Sequence, residues 1–193
     1  MGGRIGLRAA AALALAAVAG GGGDARAEGC AAAHAWRVVM GALRPRPACG
    51  AFLAATDGSM LGYSYGSFAS AAPVAVPFSF SLSARRLGPE GMPIELFVIG
   101  AAVLVKEEAF GLYVPTDDVR FEWQPMPGLH IHDEHRLAVR QTADRVALAI
   151  DGREVASWAF HAPEPRGTVS FGFKGASGYR SWASFADVRL DPQ

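Results

Sequence analysis

Cysteine and lysine are both nearly absent from this chain, with two of each among 193 residues and sixteen arginines beside the two lysines. Two cysteines, Cys30 and Cys49, are too few for a disulfide-dense scaffold or a cysteine-built metal cluster. The arginine excess reads as the codon bias of a GC-rich genome, not as an arginine-specific site. Charge of one sign is also lacking, since 18 basic side chains balance 18 acidic ones. With no basic stripe, nucleic acid and anionic membrane surfaces are poor partners. No Gly-x-Ser-x-Gly elbow, phosphate loop or dinucleotide fingerprint occurs, so neither elbow-serine hydrolysis nor a nucleotide cofactor is implied, and no cofactor is expected. The longest apolar run after the N-terminus covers about a dozen residues from Ile94 and contains Glu95, short of the about 20 apolar residues that a membrane-spanning helix needs.

What is present begins with an export signal. Arg4 and Arg8 form a basic start, residues 9–19 an apolar core, and small residues close it at Ala17-Val18-Ala19 or Ala25-Arg26-Ala27. The second cleavage site leaves residues 20–24 as the polar region before the cut. A core helix is the alternative, but the glycines at 20–23 would end it. Residues 1–27 are therefore expected to be a signal peptide, and the protein to be periplasmic or extracellular. The 166 residues from Glu28 onward carry 15 basic and 17 acidic side chains and are enough for one domain with its own core. In an oxidising compartment, Cys30 and Cys49 most simply form a disulfide, closing a loop of about 20 residues worth ~3 kcal/mol. Gly29-Cys30 also resembles the end of a bacterial lipobox, although Glu28 and the gap from the apolar core speak against lipidation. The expected organisation is a signal peptide over 1–27, a cysteine-tied segment over 28–50 and a single domain over 51–193.

Residues 31–43 have helical character, through their alanines and the spacing of Trp36, Val39, Met40 and Leu43, and Arg44-Pro45-Arg46-Pro47 ends the segment. The rest reads as strands, over 51–55, 60–65, 74–84, 94–104, 110–114, 119–123, 135–142, 146–150, 154–160, 169–173 and 185–190. About eleven strands over about 140 residues imply a sandwich or barrel. Phe78, Phe80 and Leu82 alternate with serines, as a half-buried strand requires, whereas 94–105 is nearly continuous apolar sequence and suits one central strand, with Gly100 at a bulge or close approach. Asp151-Gly152 supplies the positive-φ turn of a tight hairpin. The alternation at Leu137/Val139, Val146/Leu148/Ile150 and Val169/Phe171/Phe173 places those side chains between two sheets.

The succession Pro127-Gly128-Leu129, His135-Arg136-Leu137-Ala138-Val139, residues 146–153 ending in Ile150-Asp151-Gly152-Arg153, Gly167-Thr168-Val169-Ser170-Phe171-Gly172-Phe173 and Phe185-Ala186-Asp187-Val188-Arg189-Leu190 resembles the C-terminal half of concanavalin-like jelly rolls, the superfamily of laminin-G-like and glucanase-like domains. The resemblance covers roughly residues 70–190. It implies an all-β sandwich of two antiparallel sheets with a concave face that often binds carbohydrate. Function is not implied, because lectins, adhesion modules, glycosidases and lyases share this scaffold.

Three of the five histidines lie within six residues, at His130, His132 and His135. On a strand His130 and His132 share a face, so a metal ion is one reading and a polar loop entering the next strand the other. Cupins place a glutamate shortly after such a pair, where this chain has Arg136 and Leu137. Retaining glycosidases need two carboxylates about 5 Å apart, and the laminarinase-type members of the superfamily carry them as Glu-x-Asp-x-x-Glu. That triplet is absent here. Glu107-Glu108, Asp117-Asp118 and Asp133-Glu134 are adjacent pairs, while Glu95 and Glu122 lie in expected strands and would have to meet across them. Sugar rings stack on exposed aromatic faces, and Tyr63, Tyr65, Trp123, Tyr179 and Trp182 lie in polar or glycine-rich settings that suit this role. Trp36 and Trp158 look like core. Taken together, these features point to an exported jelly roll that binds a glycan or cell-surface ligand without catalysis, with a secreted carbohydrate-active enzyme and a structural or adhesive module as alternatives.

Overall fold

Apolar side chains at every second position bury one face of a strand and leave the other to solvent, and the longest such pattern here organises the molecule. The computed structural model describes residues 36–40, 44–45, 52–55, 64–88, 92–115, 120–175 and 178–192. All the strands pair antiparallel. The first sheet runs β1 (Trp36–Met40), β4 (Ser64–Ser70), β16 (Ser170–Gly175), β7 (Ile94–Val98), β8 (Ala101–Lys106), β9 (Ala109–Val114), β10 (Arg120–Phe121), with β11 (Gln124–Pro125) also on β9. The second runs β14 (Arg153–Ala159), β13 (Arg145–Ile150), β12 (His135–Gln141), β6 (Phe78–Arg86), β17 (Trp182–Pro192), β3 (Phe52–Ala55), β2 (Arg44–Pro45). A small pair, β5 (Val74–Ala75) with β15 (Arg166–Gly167), stands apart.

The core lies between the two sheets. Phe78, Phe80, Leu82 and Ala84 of β6 point inward beside Leu137 and Val139 of β12, and face Ile94, Leu96 and Val98 of β7, Val103 and Val105 of β8, and Phe171 and Phe173 of β16. Each of the valine, leucine, isoleucine and phenylalanine side chains among these contributes about 1.5–3 kcal/mol by leaving water. Phe171 is the hub, with ring contacts to Trp36, Phe52, Phe68, Phe80 and Phe185 at 4.9–5.9 Å. The expected inward alternation at 137/139, 146/148/150 and 169/171/173 is thus found as read. The Asp151-Gly152 hairpin also forms, with φ of 52° and 80° at its two turn residues.

Three expectations are corrected. The strand expected over 74–84 is two, with Val74–Ala75 in the small pair and Phe78–Arg86 in the second sheet. The part of 31–43 that is described, Trp36–Met40, is an edge strand and not a helix. Tertiary packing overrides the local alanine signal there, because Trp36 packs its ring on Phe80 and Phe171 and the backbone pairs with β4. The run from 94 to 104 is two strands and not one, folded back at Ile99 and Gly100, whose φ is 82°. This turn carries no polar signal of its own because it is buried and satisfied from the other sheet. The Gln141 side chain, fully buried, accepts from the Ile99 N–H and donates to the Ile99 carbonyl, each at 2.9 Å. Residues 1–27, Cys30 and Cys49 lie outside the described residues, so the signal peptide and the disulfide remain expectations.

Candidate functional site

The outer face of the first sheet is hollowed into a cleft of about 670 Å³. Antiparallel register fixes which side chains share it, since directly opposed residues point the same way. One row across the strands reads Ser67, Gly172, Glu95, Leu104, Gly111. On one side of that row, Lys174 is hydrogen-bonded through its N–H to the Pro93 carbonyl, and Lys106 ends β8. On the other side lie Phe97, Ala102 and Tyr113. Phe121 and Trp123 close one end of the cleft.

Two glycines shape this floor. A Cβ on Gly172 would lie 2.2 Å from the Gly66 carbonyl oxygen, so no side chain fits between Ser67 and Glu95. A Cβ on Gly111 would lie 2.6 Å from the Glu122 carbonyl oxygen, so the bare backbone lets the segment carrying Phe121 and Trp123 settle on β9. The aromatic end is held firmly. Phe121 meets Trp123 edge-on at 4.6 Å and Tyr113 at 6.4 Å, and the Lys106 ammonium sits 4.1 Å from the Trp123 ring centre. Cation–π contact of this kind fixes both partners.

Glu95 is the chemically distinctive group. It stands in the middle of the sheet with 6% of its surface exposed. Burial pushes its carboxyl up to about 7, against the opposing pull of the Lys174 charge. Behind the cleft wall, Arg86 reaches from the second sheet through the core and donates to the carbonyls of Met92 and Lys174 at 2.8 and 2.9 Å, with its guanidinium 5.3 Å from the Phe173 ring centre. That buried cation, lowered to about 10 by desolvation, ties the two cleft-lining segments at 92 and 174 together.

Of the aromatic residues singled out in the sequence, Trp123 lines the cleft. Tyr65 lies in β4 in register with Lys174, while Tyr63 is outside the described residues. Tyr179 and Trp182 are 62% and 39% exposed but do not line the cleft, and Trp182 belongs to the second sheet. The three histidines are each engaged separately. His130 donates to Glu107 at 2.6 Å, His132 lies 3.2 Å from the Arg86 carbonyl, and His135 bridges Asp151 at 2.7 Å and the His130 carbonyl at 3.0 Å. The Glu107 bond raises the His130 imidazole and lowers the Glu107 carboxyl. Among the described residues no group of three or more His, Cys, Asp or Glu side chains converges on a point that suits a metal ion. Glu95 and Glu122 do not share the cleft, since Glu122 lines a separate depression with Leu112, Asp144 and Trp158. Sequence reading passed over Tyr113, Phe121, Lys106 and Lys174.

No protein-family model matches the chain, and no curated protein matches it in sequence. Its fold is shared with solved structures. A carbohydrate-binding module, CBM66 from Bacillus subtilis, superposes with a TM-score of 0.59 at 14% identity, over 81% of this chain and 95% of that one. A β-glucanase from Bacillus licheniformis gives 0.62 at 10% identity, over 82% and 92%. The alginate lyase A1-II', of polysaccharide lyase family 7, gives 0.55 at 9% identity, over 78% and 84%. The chain has the concanavalin-like jelly-roll fold. Identities this low speak to fold alone.

Proposed function

We propose that this protein is an exported, non-catalytic glycan-binding jelly roll that holds an oligosaccharide across the cleft on its first sheet. The observation that carries this reading is the solitary carboxylate. Glycoside hydrolysis by either stereochemical route uses two carboxyl groups, about 5 Å apart for retention and about 6.5–9.5 Å for inversion. Among the described residues that line the cleft Glu95 is the only acid, and Phe97 occupies the next position on the same face of β7. What surrounds it suits sugar instead. Tyr113, Phe121 and Trp123 offer apolar ring surface for C–H faces, and Ser67, Glu95 and Lys174 offer polar groups for hydroxyls. Because the aromatic end is already packed, little side-chain entropy is lost on binding.

One observation favours a second reading, an enzyme, because a carboxyl raised to about 7 has the character of a general acid. The same fold carries both a carbohydrate-binding module and a β-glucanase, so it accommodates either role. Incubation of the mature protein with a polysaccharide panel separates the two. Ligand retained intact, with binding weakened by Tyr113→Ala, supports the module. Release of reducing ends that Glu95→Gln abolishes would replace it with the enzyme. Export is supported by the signal-like residues 1–27, and N-terminal sequencing of the secreted protein should begin at Glu28. Non-reducing mass spectrometry should then show Cys30 and Cys49 bonded, and a diacylglyceryl adduct on Cys30 would mean a membrane anchor instead.

A further inference from the structure

The chain holds only two lysines, Lys106 and Lys174, against sixteen arginines; Lys174 lines the cleft, and Lys106 stands against Trp123, one of its wall residues. They come from different strands, β8 and β16, on either side of β7. In register both flank Pro93, so their backbone positions are two strand spacings, about 10 Å, apart. Glu95 lies one row over between them, and no second carboxylate lines the cleft among the described residues. A glycan site for neutral sugar has no need of one cation beside a nearly buried acid and a second at its aromatic end.

We propose that the cleft's ligand is a carboxylate-bearing oligosaccharide, a chain of uronic acid units, with Lys174 and Lys106 as its charge partners. The proposal rests on the glycan-binding reading above and narrows it to acidic sugars. A lysine ammonium is a compact point charge with three donors, suited to one carboxylate oxygen pair without the planar demands of arginine. At Lys106 the ammonium lies 4.1 Å from the Trp123 ring centre, so the charge is placed at the cleft's aromatic end. Glu95 completes the receptor. Its position near neutrality leaves a large fraction as the neutral acid, which donates a hydrogen bond to a ligand carboxylate where an ionised glutamate would repel it. Binding an anion beside it raises the carboxyl further, so a proton is taken up with the ligand. Of the charged and titratable groups around the cleft, Lys174 on β16 acts on Glu95, Lys106 on β8 lies one row over in register, Tyr113 on β9 lines the same cleft, and Arg86 lies behind the wall.

Titration calorimetry of the mature chain with tetramers of galacturonate, mannuronate and guluronate, and with the methyl-esterified and neutral counterparts, tests this. At pH 6 at least one uronate tetramer should bind, and its methyl ester, lacking the charge, should bind at least about tenfold more weakly. Lys174→Met and Lys106→Met should each weaken uronate binding by about tenfold, with circular dichroism and Tm reporting that the fold is kept. Above pH 7 the affinity should fall by up to about tenfold per pH unit, and Glu95→Gln should flatten that profile. A purely structural role for Glu95 would leave the profile unmoved by the substitution and would overturn its part in the receptor. Tighter binding of the neutral or esterified tetramer than of the free acid would overturn the acidic-sugar inference and leave the glycan-binding function standing. Binding of no glycan, charged or neutral, would overturn both.

Discussion

Replacing Glu95 by glutamine removes one proton-binding site from the middle of a sheet and should change how stability varies with pH. In the folded protein the carboxyl is raised from 4.5 to about 7, chiefly because burial penalises the charged form, with Lys174 partly offsetting it. Below pH 4.5 both folded and unfolded chains carry the proton and the group adds no pH dependence. Between 4.5 and about 7 the unfolded chain gives the proton up while the folded chain keeps it, so stability falls as pH rises. At 1.36 kcal/mol for each pH unit the loss totals about 3 kcal/mol and levels off above the folded value. Glutamine is close to an isostere of the neutral acid and does not titrate. The Glu95→Gln protein should therefore match the parent near pH 4 and exceed it by about 3 kcal/mol at pH 8. Urea denaturation of both proteins at each pH unit from 4 to 8 reads this directly, with an unchanged m-value showing that the same surface unfolds. Parallel stability curves would refute the argument. So would a variant less stable than the parent at pH 8, because attraction to Lys174 would then outweigh desolvation.

Gln141→Leu should cost about 2–5 kcal/mol, because it strands the buried N–H and carbonyl of Ile99 at the β7–β8 turn, and a shift in the urea midpoint measures it. Phe171→Ala should destabilise the domain by about 3–5 kcal/mol in the same assay, since it empties the centre of a ring cluster and leaves a cavity between the sheets.

What the sequence reveals of this molecule follows how local each determinant is. The alternation of Phe78, Phe80 and Leu82 with serines and the Asp151-Gly152 turn are set by neighbouring residues, and both are found, although the strand expected from 74 begins at Phe78. The fold at Ile99 and Gly100 is hidden because its hydrogen bonds come from Gln141 in the other sheet, so 94–104 looks like one strand. The same limit governs the site. Trp123 is recognisable from its polar setting, but Tyr179 and Trp182 share that kind of setting and lie elsewhere. Glu95 is visible as an acid within an apolar run, yet its place in the cleft depends on β7 turning Ile94, Leu96 and Val98 to the core. The scarcity of lysine is plain in the composition. Its meaning is not, because Lys106 and Lys174 are brought to one face only by the pairing of β16, β7 and β8.

Amide chemical-shift mapping by NMR, with the mature protein titrated by the glycan that it retains, tests the account most directly because one experiment reports both where the ligand sits and whether it survives. The account predicts shifts concentrated at Gly172, Glu95, Leu104, Tyr113 and Trp123, with the ligand's own anomeric signals unchanged over days. Shifts centred instead on Tyr179 and Trp182, or new reducing-end signals growing with time, would contradict it.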